Sequence, residues 1–559
     1  MALFVSMISC LQNNYLMISS YSNIDLVVII IYLVTTLGIG LYYSRRSDSN
    51  TKEYFLAGKS VGWIAIGLTI FSTNISSEHF IGLAGSGASR GLAVGQFELI
   101  AIFILVLLGW ILAPIYLKSG VMTMPEFLEK RFDNKIRKIF AILSISIYLF
   151  TKVSVTLFAG GLLFYKIFGL SIYTSAIAIV LLTGLYTLIG GAKAVIRTNV
   201  FQSIMLILGA LTLTIFGLSE IGGISALTNN LSDQYFTMFK PMSDPDFPWT
   251  GILFGAPIIA FWYWCTDQYI IQRLFCAKSL NDARRGSIFA ALLKLLPIFI
   301  LVLPGLIAVV MYPGIKGDDA YPTLLAGDLL PMGIKGLVLA GVLAAIMSSL
   351  SSVFNVAAAL YTNDIYKPKH KDASEQKLVL VGRLVTIILI FLAILCVPLV
   401  RQIDSQIYLY LQTVQAYFGP PIAALFITGL LIRRINAKGA LWGLIVGESL
   451  GIFRLITDFI LSSGTGHNLV LRYFGNINFL HFAIIIFIVS SATTYIVSLL
   501  KSKKIERENH FINFSEKIPG IWDLNFGFSK INIVKADKIN LSLSVLLLLL
   551  IFGVWSIWY

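Results

Sequence analysis

The sequence predicts an all-α integral membrane protein with about 14 transmembrane helices, ten of them in two inverted five-helix repeats. Three observations carry this prediction. Of 559 residues, 57% are hydrophobic and only 13% charged, a balance that suits a bilayer rather than a large soluble core. Apolar runs near the ~20 residues needed to cross a membrane recur along the chain. Lys and Arg collect in alternate loops, so the net charge of +14 reflects topology and calls for no nucleic acid partner.

The apolar segments are Ile24–Ser44, Val61–Ser86, Gly95–Leu117, Ile139–Phe168, Leu170–Ile189, Thr198–Leu218, Trp249–Gln268, Ser287–Tyr312, Gly336–Tyr361, Val379–Val400, Tyr408–Ile432, Ala440–Leu461, Phe479–Leu500 and Ile539–Trp558. Basic residues follow the odd-numbered segments, beginning with Arg45 and Arg46 and ending with Lys501, Lys503, Lys504 and Arg507. The intervening loops are poor in them, and two carry acidic groups (Asp233, Asp244, Asp246; Asp318, Asp319, Asp328). Both termini are therefore expected outside. The N-terminus lacks a basic n-region, which argues against a cleaved signal peptide.

On this topology the second segment starts inside and the seventh starts outside, each opening a group of five. The expected organisation is an N-terminal segment and first helix (1–60), a first repeat (61–220), an extracellular loop (221–248) and a second repeat (249–435). Two flanking helices (436–500), a cytoplasmic linker (501–538) and a final helix (539–559) follow. Cys10, Cys265, Cys276 and Cys396 form no CxxC pair and read as packing residues.

The second segment does not suit a plain spanning helix. STNISSEHFIGLAGSGASRGLAVGQFE, from Ser72 to Glu98, places Asn74, Ser76, Ser77, Glu78, His79 and Glu98 at membrane depth, where an ionisable side chain costs roughly 2.5–3.5 kcal/mol even on the lenient insertion scale. Small residues from Gly82 to Ala88 allow close helix approach and irregular backbone. A glycine-packed helix pair is the bland alternative, and it leaves His79 and Glu98 unexplained. Broken helices at the midplane are the usual binding elements of secondary transporters. The seventh segment offers a counterpart, with Gly251, Gly255 and Pro257 as breakers before a polar, aromatic end, Tyr263 to Gln268. No phosphate-cradling loop, Gly-x-Ser-x-Gly elbow or HExxH helix is present, which argues against an ATP-driven pump or a membrane enzyme.

Taken together, NI..EHFIGLAGSGA..GLA.G.FE, GVMTMPEFLEKRF, LFTKVS, FWYWCTDQYIIQR, KLLPIFILVLPG, AAIMSSLSSVFN, TNDIY and YFGPPIAALF resemble the sodium:solute symporters, and within them the animal-type sodium/glucose cotransporters. The resemblance spans about Ile24 to Leu500 and implies a LeuT-like core. It implies a hydroxyl-binding set of Asn74, His79, Glu98, Lys294 and Gln412, with Tyr263 and Trp264 as aromatic wall and inner gate and Phe97 beside Glu98. Each has an ordinary structural role as its alternative: Lys294 pairing with a carboxylate, Gln412 bridging helices, the aromatics as core.

The resemblance further implies Na+ as coupling ion, with no organic cofactor, held by carbonyls of Ser72, Ile75 and Ala345 and hydroxyls of Ser348 and Ser349. A hard cation wants such oxygens. In VIRTNVFQ the family's usual aspartate is Asn199; Ser351 and Ser352 remain, so a second sodium site is doubtful without the carboxylate. Lys152 is a possible carboxylate-binding cation, although glucose carriers share it. The expected function is sodium-coupled import of a glucose- or galactose-like hexose by alternating access, in a cell membrane, with a bacterial inner membrane favoured by composition. The alternatives are a myo-inositol, sialic acid or other polyol symporter, and a sugar-gated sensor or ion-leak protein on the same fold.

Overall fold

The computed structural model describes residues 22–44, 50–400, 406–463, 469–500 and 535–558. Cys10, the N-terminal segment to residue 21, Arg45, Arg46 and the linker's Lys501, Lys503, Lys504 and Arg507 lie outside the described residues. Among those described, secondary structure is helical apart from isolated bridges, and ten helices are long and apolar enough to cross a membrane.

The helices used below are α1 (Asn23–Ser44), α2 (Trp63–Asn74), α3 (Ser77–Arg90), α4 (Gln96–Leu107), α5 (Asn134–Phe168), α6 (Ile172–Ile221), α7 (Ala256–Phe261) and α8 (Gln268–Phe275). They continue with α9 (Leu280–Met311), α10 (Ile334–Tyr366), α11 (Glu375–Val400), α12 (Ile407–Leu431), α13 (Ala437–Ser462), α14 (Phe479–Leu500) and α15 (Lys535–Ile557).

Ten and fourteen differ at four places, each with a physical cause. The run Val61–Ser86 is divided between α2 and α3, and α3 with its continuation through Lys118 makes one 42-residue span. The expected spans Leu170–Ile189 and Thr198–Leu218 are consecutive parts of α6, whose 50 residues would extend about 75 Å if straight. They turn at Gly191, whose φ of 54° and ψ of −157° leave the helical region. A side chain there would be strained, and its Cβ would come within 2.5 Å of the Tyr54 carbonyl oxygen. The segment Trp249–Gln268 is broken into short pieces. Helix α13 is long enough but carries Lys438, Glu448, Arg454 and Asp458.

The breaks are where polar backbone enters the core. Helix α2 ends as Ile75 and Ser76 adopt extended angles (φ −77°, ψ 121°; φ −139°, ψ −172°) before α3 begins. The last carbonyls of a helix have no i+4 donor, so those of Ser72 and Thr73 are left facing the protein interior. In the second broken segment Gly255 and Pro257 leave the chain helical; the extended residue is Asp267 (φ −74°, ψ 123°), between a π-helical turn over Trp262–Thr266 and α8. The break thus falls at the polar end of the segment, away from the glycines and proline, because Asp267 accepts the Tyr269 N–H (3.0 Å) and caps α8.

The two broken segments run side by side. Val61, just before α2, donates to Cys276 (3.0 Å), and Lys278 donates back to Val61 (3.1 Å), tying the start of one to the end of the other. Helix α10 is almost wholly buried and packs on α6, α1 and α2. Asp25 in the first turn of α1 accepts the N–H groups of Gly333 and Gly336 (2.8 and 2.7 Å), satisfying the open end of α10.

Candidate functional site: an amphiphilic cavity beside an oxygen cluster

One narrow cavity, with about 50 Å³ of room for water, lies between α2, α3, α4, α5, α7, α9 and α12. It is lined by Asn74, His79, Phe97 and Glu98 from the first broken segment and the helix after it. The other side carries Tyr263 and Trp264 from the π-helical turn, Lys294 from α9 and Gln412 from α12. All eight residues of the expected sugar set, and Lys152 of α5 with them, therefore face a single space.

The polar wall is internally bonded. Lys294 Nζ donates to Glu98 Oε2 and, at 2.7 Å, to Asn74 Oδ1, and Asn74 Nδ2 donates to the Tyr263 hydroxyl at 3.1 Å. Glu98 and Lys294 are 3% and 1% exposed, so neither charge is bearable there without the other. His79 accepts the Ser76 N–H at Nδ1 (3.4 Å), which leaves Nε2 as the imidazole's donor. Gln412 donates to the Tyr408 hydroxyl (2.7 Å).

The remaining wall is aromatic. Tyr263 and Trp264 meet edge to face with centroids 5.0 Å apart, and Phe97 and His79 each contact Tyr408. Tyr408 reaches this position because Gly82 of α3 has no side chain: a Cβ there would come within 2.6 Å of the tyrosine's own Cβ. Polar groups on one side and ring faces on the other suit a molecule with hydroxyls on its rim and C–H groups on its faces.

Immediately behind Asn74 is the oxygen cluster. The Ser348 hydroxyl donates to the carbonyls of Ser72 (2.7 Å) and Ala345 (3.0 Å), and the Ser349 hydroxyl to those of Thr73 (3.0 Å) and Ile75 (3.3 Å). The five residues picked from the sequence as ion ligands come together here, and all are buried. Each of these atoms is a neutral oxygen, the donor set that a hard monovalent cation takes.

Asn199, Ser351 and Ser352 form a second group one helical turn further along α10. Asn199 Nδ2 donates to Ser352 Oγ (3.0 Å) and Thr73 Oγ1 (3.4 Å), while its Oδ1 accepts from Ser351 (3.3 Å). The amide presents N–H groups to the hydroxyls, and the Ser351 and Ser352 hydroxyls also donate to the Ser348 carbonyl (3.0 and 2.7 Å), so the group is satisfied by hydrogen bonds already in place.

Sequence reasoning passed over three participants. Thr73 supplies a carbonyl to the first cluster and a hydroxyl to the second. Tyr269 donates to the Thr73 carbonyl (2.6 Å); its signal is a residue with a polar tip directly after a break. Tyr408 gave no signal beyond an aromatic in an apolar run. Lys152, in a π-helical turn of α5, holds its ammonium 4.1 Å from the centre of the Tyr263 ring, so a cation lies against the inner aromatic. Beyond the cavity, Asp318 wedges between α3 and α12, accepting the Ile407 N–H (2.9 Å), and burial pushes its carboxyl up to about 6.

Residues 54–447 match the model of the "Sodium:solute symporter family". The mouse protein "Sodium/glucose cotransporter 1" is 39% identical over 532 residues, covering 86% of this chain and 80% of that protein. The human "Sodium/myo-inositol cotransporter 2" is 39% identical over 474 residues, 78% of this chain and 70% of its own. Among solved structures, a Na+-coupled sialic acid symporter in a substrate-bound outward-open state superposes with a TM-score of 0.75 at 26% identity, covering 86% of this chain and 98% of that one. With the family model spanning well over half of the sequence and full-length relatives at this identity, the chain is a multi-pass membrane protein that belongs to the sodium:solute symporter family.

Proposed function

We propose that this protein is a sodium-coupled secondary active symporter importing a neutral hexose of the glucose or galactose type by alternating access. One observation supports it most. Asn74, whose side chain forms part of the cavity wall, is covalently next to Thr73, whose carbonyl belongs to the oxygen cluster. An ion drawing the carbonyls of residues 72–75 together fixes the position of Asn74 and, through it, Lys294 and Glu98. Ion and sugar then favour one another's binding by reciprocal linkage.

Glu98, Lys294, Asn74, His79 and Gln412 supply donors and acceptors for sugar hydroxyls; Phe97 and Trp264 supply ring faces, and Tyr263 closes the inner side. The carbonyls of Ser72, Ile75 and Ala345 and the hydroxyls of Ser348 and Ser349 hold one sodium ion. Asn199, Ser351 and Ser352 hold none. A single ion falling through ~100 mV gains about 2.3 kcal/mol, and a tenfold gradient adds about 1.4 kcal/mol. Together these support a few-hundred-fold accumulation of sugar. The chain would cross the bilayer fourteen times with both termini outside, its core the two inverted repeats 61–220 and 249–435 of a LeuT-like fold.

Myo-inositol is the second reading, favoured by the equal 39% identity to a sodium/myo-inositol cotransporter; the same wall serves a cyclitol. A carboxylate substrate would have to draw on Lys152, whose ammonium also lines the cavity, since Lys294 is engaged by Glu98 and Asn74. The deciding experiment is uptake of labelled glucose and labelled myo-inositol into proteoliposomes with sodium or potassium outside, for wild type and Ser349→Ala. Sodium-dependent accumulation that the substitution abolishes supports symport through this cluster, and the preferred label ranks the substrates. Sugar-evoked current without accumulation of either label would replace the symporter with a sugar-gated conductance.

A further inference from the structure

A second cavity lies on the other side of α12. Tyr408, Leu411, Gln412 and Gln415 face the first cavity, whereas Leu409, Thr413 and Tyr417, spaced four apart, line the second. At 100° per residue these are opposed faces of one helix. The second cavity holds about 670 Å³, opens toward solvent and is bounded by the segment 242–246, α12, α13 and the segment 475–481.

Its wall is built rather than accidental. Arg454 of α13, 4% exposed, donates to the carbonyls of Phe474, Gly475 (2.8 Å) and Ile477 (3.0 Å) and to Asp458 Oδ1 (2.9 Å). Tyr417 donates to the other oxygen of Asp458 (2.6 Å). The carboxylate is thereby held at a fixed angle with lone pairs to spare. The side chains of Thr413 and Asn476 also line the space and make no hydrogen bond among the described residues.

The chemistry of the wall selects its ligand. Asp244, which makes no salt bridge among the described residues, leaves the wall unfavourable to an anion, and no group of three carboxylate, imidazole or thiol ligands among the described residues would hold a metal ion. Asp246 is already paired with Arg90 (2.6 Å), and Asp458 with Arg454, so little net charge remains to attract an organic cation. A hydroxyl, which both donates and accepts, satisfies Asp458, Thr413 and Asn476 together, and Tyr417 and Phe479 offer faces for C–H groups.

The geometry points to a second binding site, for a neutral polyhydroxylated small molecule, on the face of α12 opposite the transport cavity. It uses none of the residues of the proposed transport site and lies away from the oxygen cluster, so a ligand binds here without sodium being present. Because α12 is shared, a ligand here biases the same helix that carries Gln412 and Tyr408.

The test is saturation-transfer NMR with glucose and with myo-inositol on the purified full chain in nanodiscs, in sodium and in potassium. Wild type is expected to give a signal in potassium that survives Glu98→Gln and weakens roughly tenfold in Thr413→Trp, which fills the cavity, and less in Thr413→Val, which deletes one hydroxyl. Unchanged thermal melting of Thr413→Val excludes misfolding as the cause. Absence of signal in potassium with both probes, or a signal that neither Thr413 variant alters, overturns the second site. Absence of a sodium-dependent component sensitive to Glu98→Gln instead overturns the proposed transport site and leaves this one standing.

Discussion

The two polar clusters on α10 lie a turn apart and use nearly the same residue types, yet they are opposite in character. Around Ser348 and Ser349 the carbonyls of Ser72, Thr73, Ile75 and Ala345 outnumber the donors, and two serine hydroxyls and the Tyr269 phenol are shared among four acceptors. Around Ser351 and Ser352 the Asn199 amide brings its own N–H groups and completes the network. An acceptor-rich cluster gains from a cation, because the ion replaces weakly shared hydrogen bonds with direct coordination. A self-satisfied cluster has nothing to gain. We infer that an amide at position 199 offers an ion less than a carboxylate would, because it carries no charge and its N–H groups already bind Ser352 and Thr73.

The largest expected effect comes from Ser348→Ala with Ser349→Ala. Removing both hydroxyls should weaken sodium activation of uptake by roughly 100-fold or more, since each ligand lost is worth on the order of 1–3 kcal/mol. Sodium titration of the transport rate reads this directly, and an unchanged half-saturation would break the comparison. Next is Asn199→Asp, which places a carboxylate where the amide is. The sodium Hill coefficient should rise from about 1 toward 2, and the limiting accumulation should rise toward the square of its former value, because a second ion contributes a comparable driving force. Reversal potentials measured against the sugar gradient give that ratio.

Asn199→Ala should leave sodium affinity within about threefold while destabilising the protein by roughly 1–3 kcal/mol, because Ser351 and Ser352 lose a partner in a dry core. Thermal melting alongside the sodium titration separates the two clusters. The smallest effect lies away from both, at Asp318. Its folded value of about 6 stands above the ordinary 3.8, so the folded chain binds this proton more tightly than the unfolded one. The resulting stabilisation is greatest below about pH 4 and is lost as pH rises through 6. Tm should fall by about 1 °C across that window, discounted for partial exposure, and Asp318→Asn should flatten the slope.

What could be read from the sequence follows how each residue announces itself. Glu98, Lys294 and His79 are conspicuous because ionisable groups are rare in apolar runs, and they line one cavity. The ion ligands are mostly backbone carbonyls, which no side chain advertises, so Ser72, Ile75 and Ala345 came from family resemblance. Thr73, between them, was missed. Tyr269 and Tyr408 act through hydroxyl tips that look like core aromatics until their neighbours are known. Gly255 and Pro257 promised the second break, which instead fell at Asp267, because a capping carboxylate decides where a new helix starts while proline can sit in a first turn. The turn at Gly191 falls between the expected spans Leu170–Ile189 and Thr198–Leu218, where the apolar pattern breaks off, although the chain makes it inside one long helix without a separate loop.

Tyr269 belongs to both interrupted segments at once. It sits two residues after the extended Asp267 and gives its hydroxyl to Thr73, two residues before the extended Ile75. The phenol therefore works as an interlock between two hinges: neither half-helix swings far while it is engaged. Thr73 lies between Ser72 and Ile75, the proposed ion ligands, so an ion that draws those two carbonyls together is expected to pull on the same phenol that ties down the opposite broken segment.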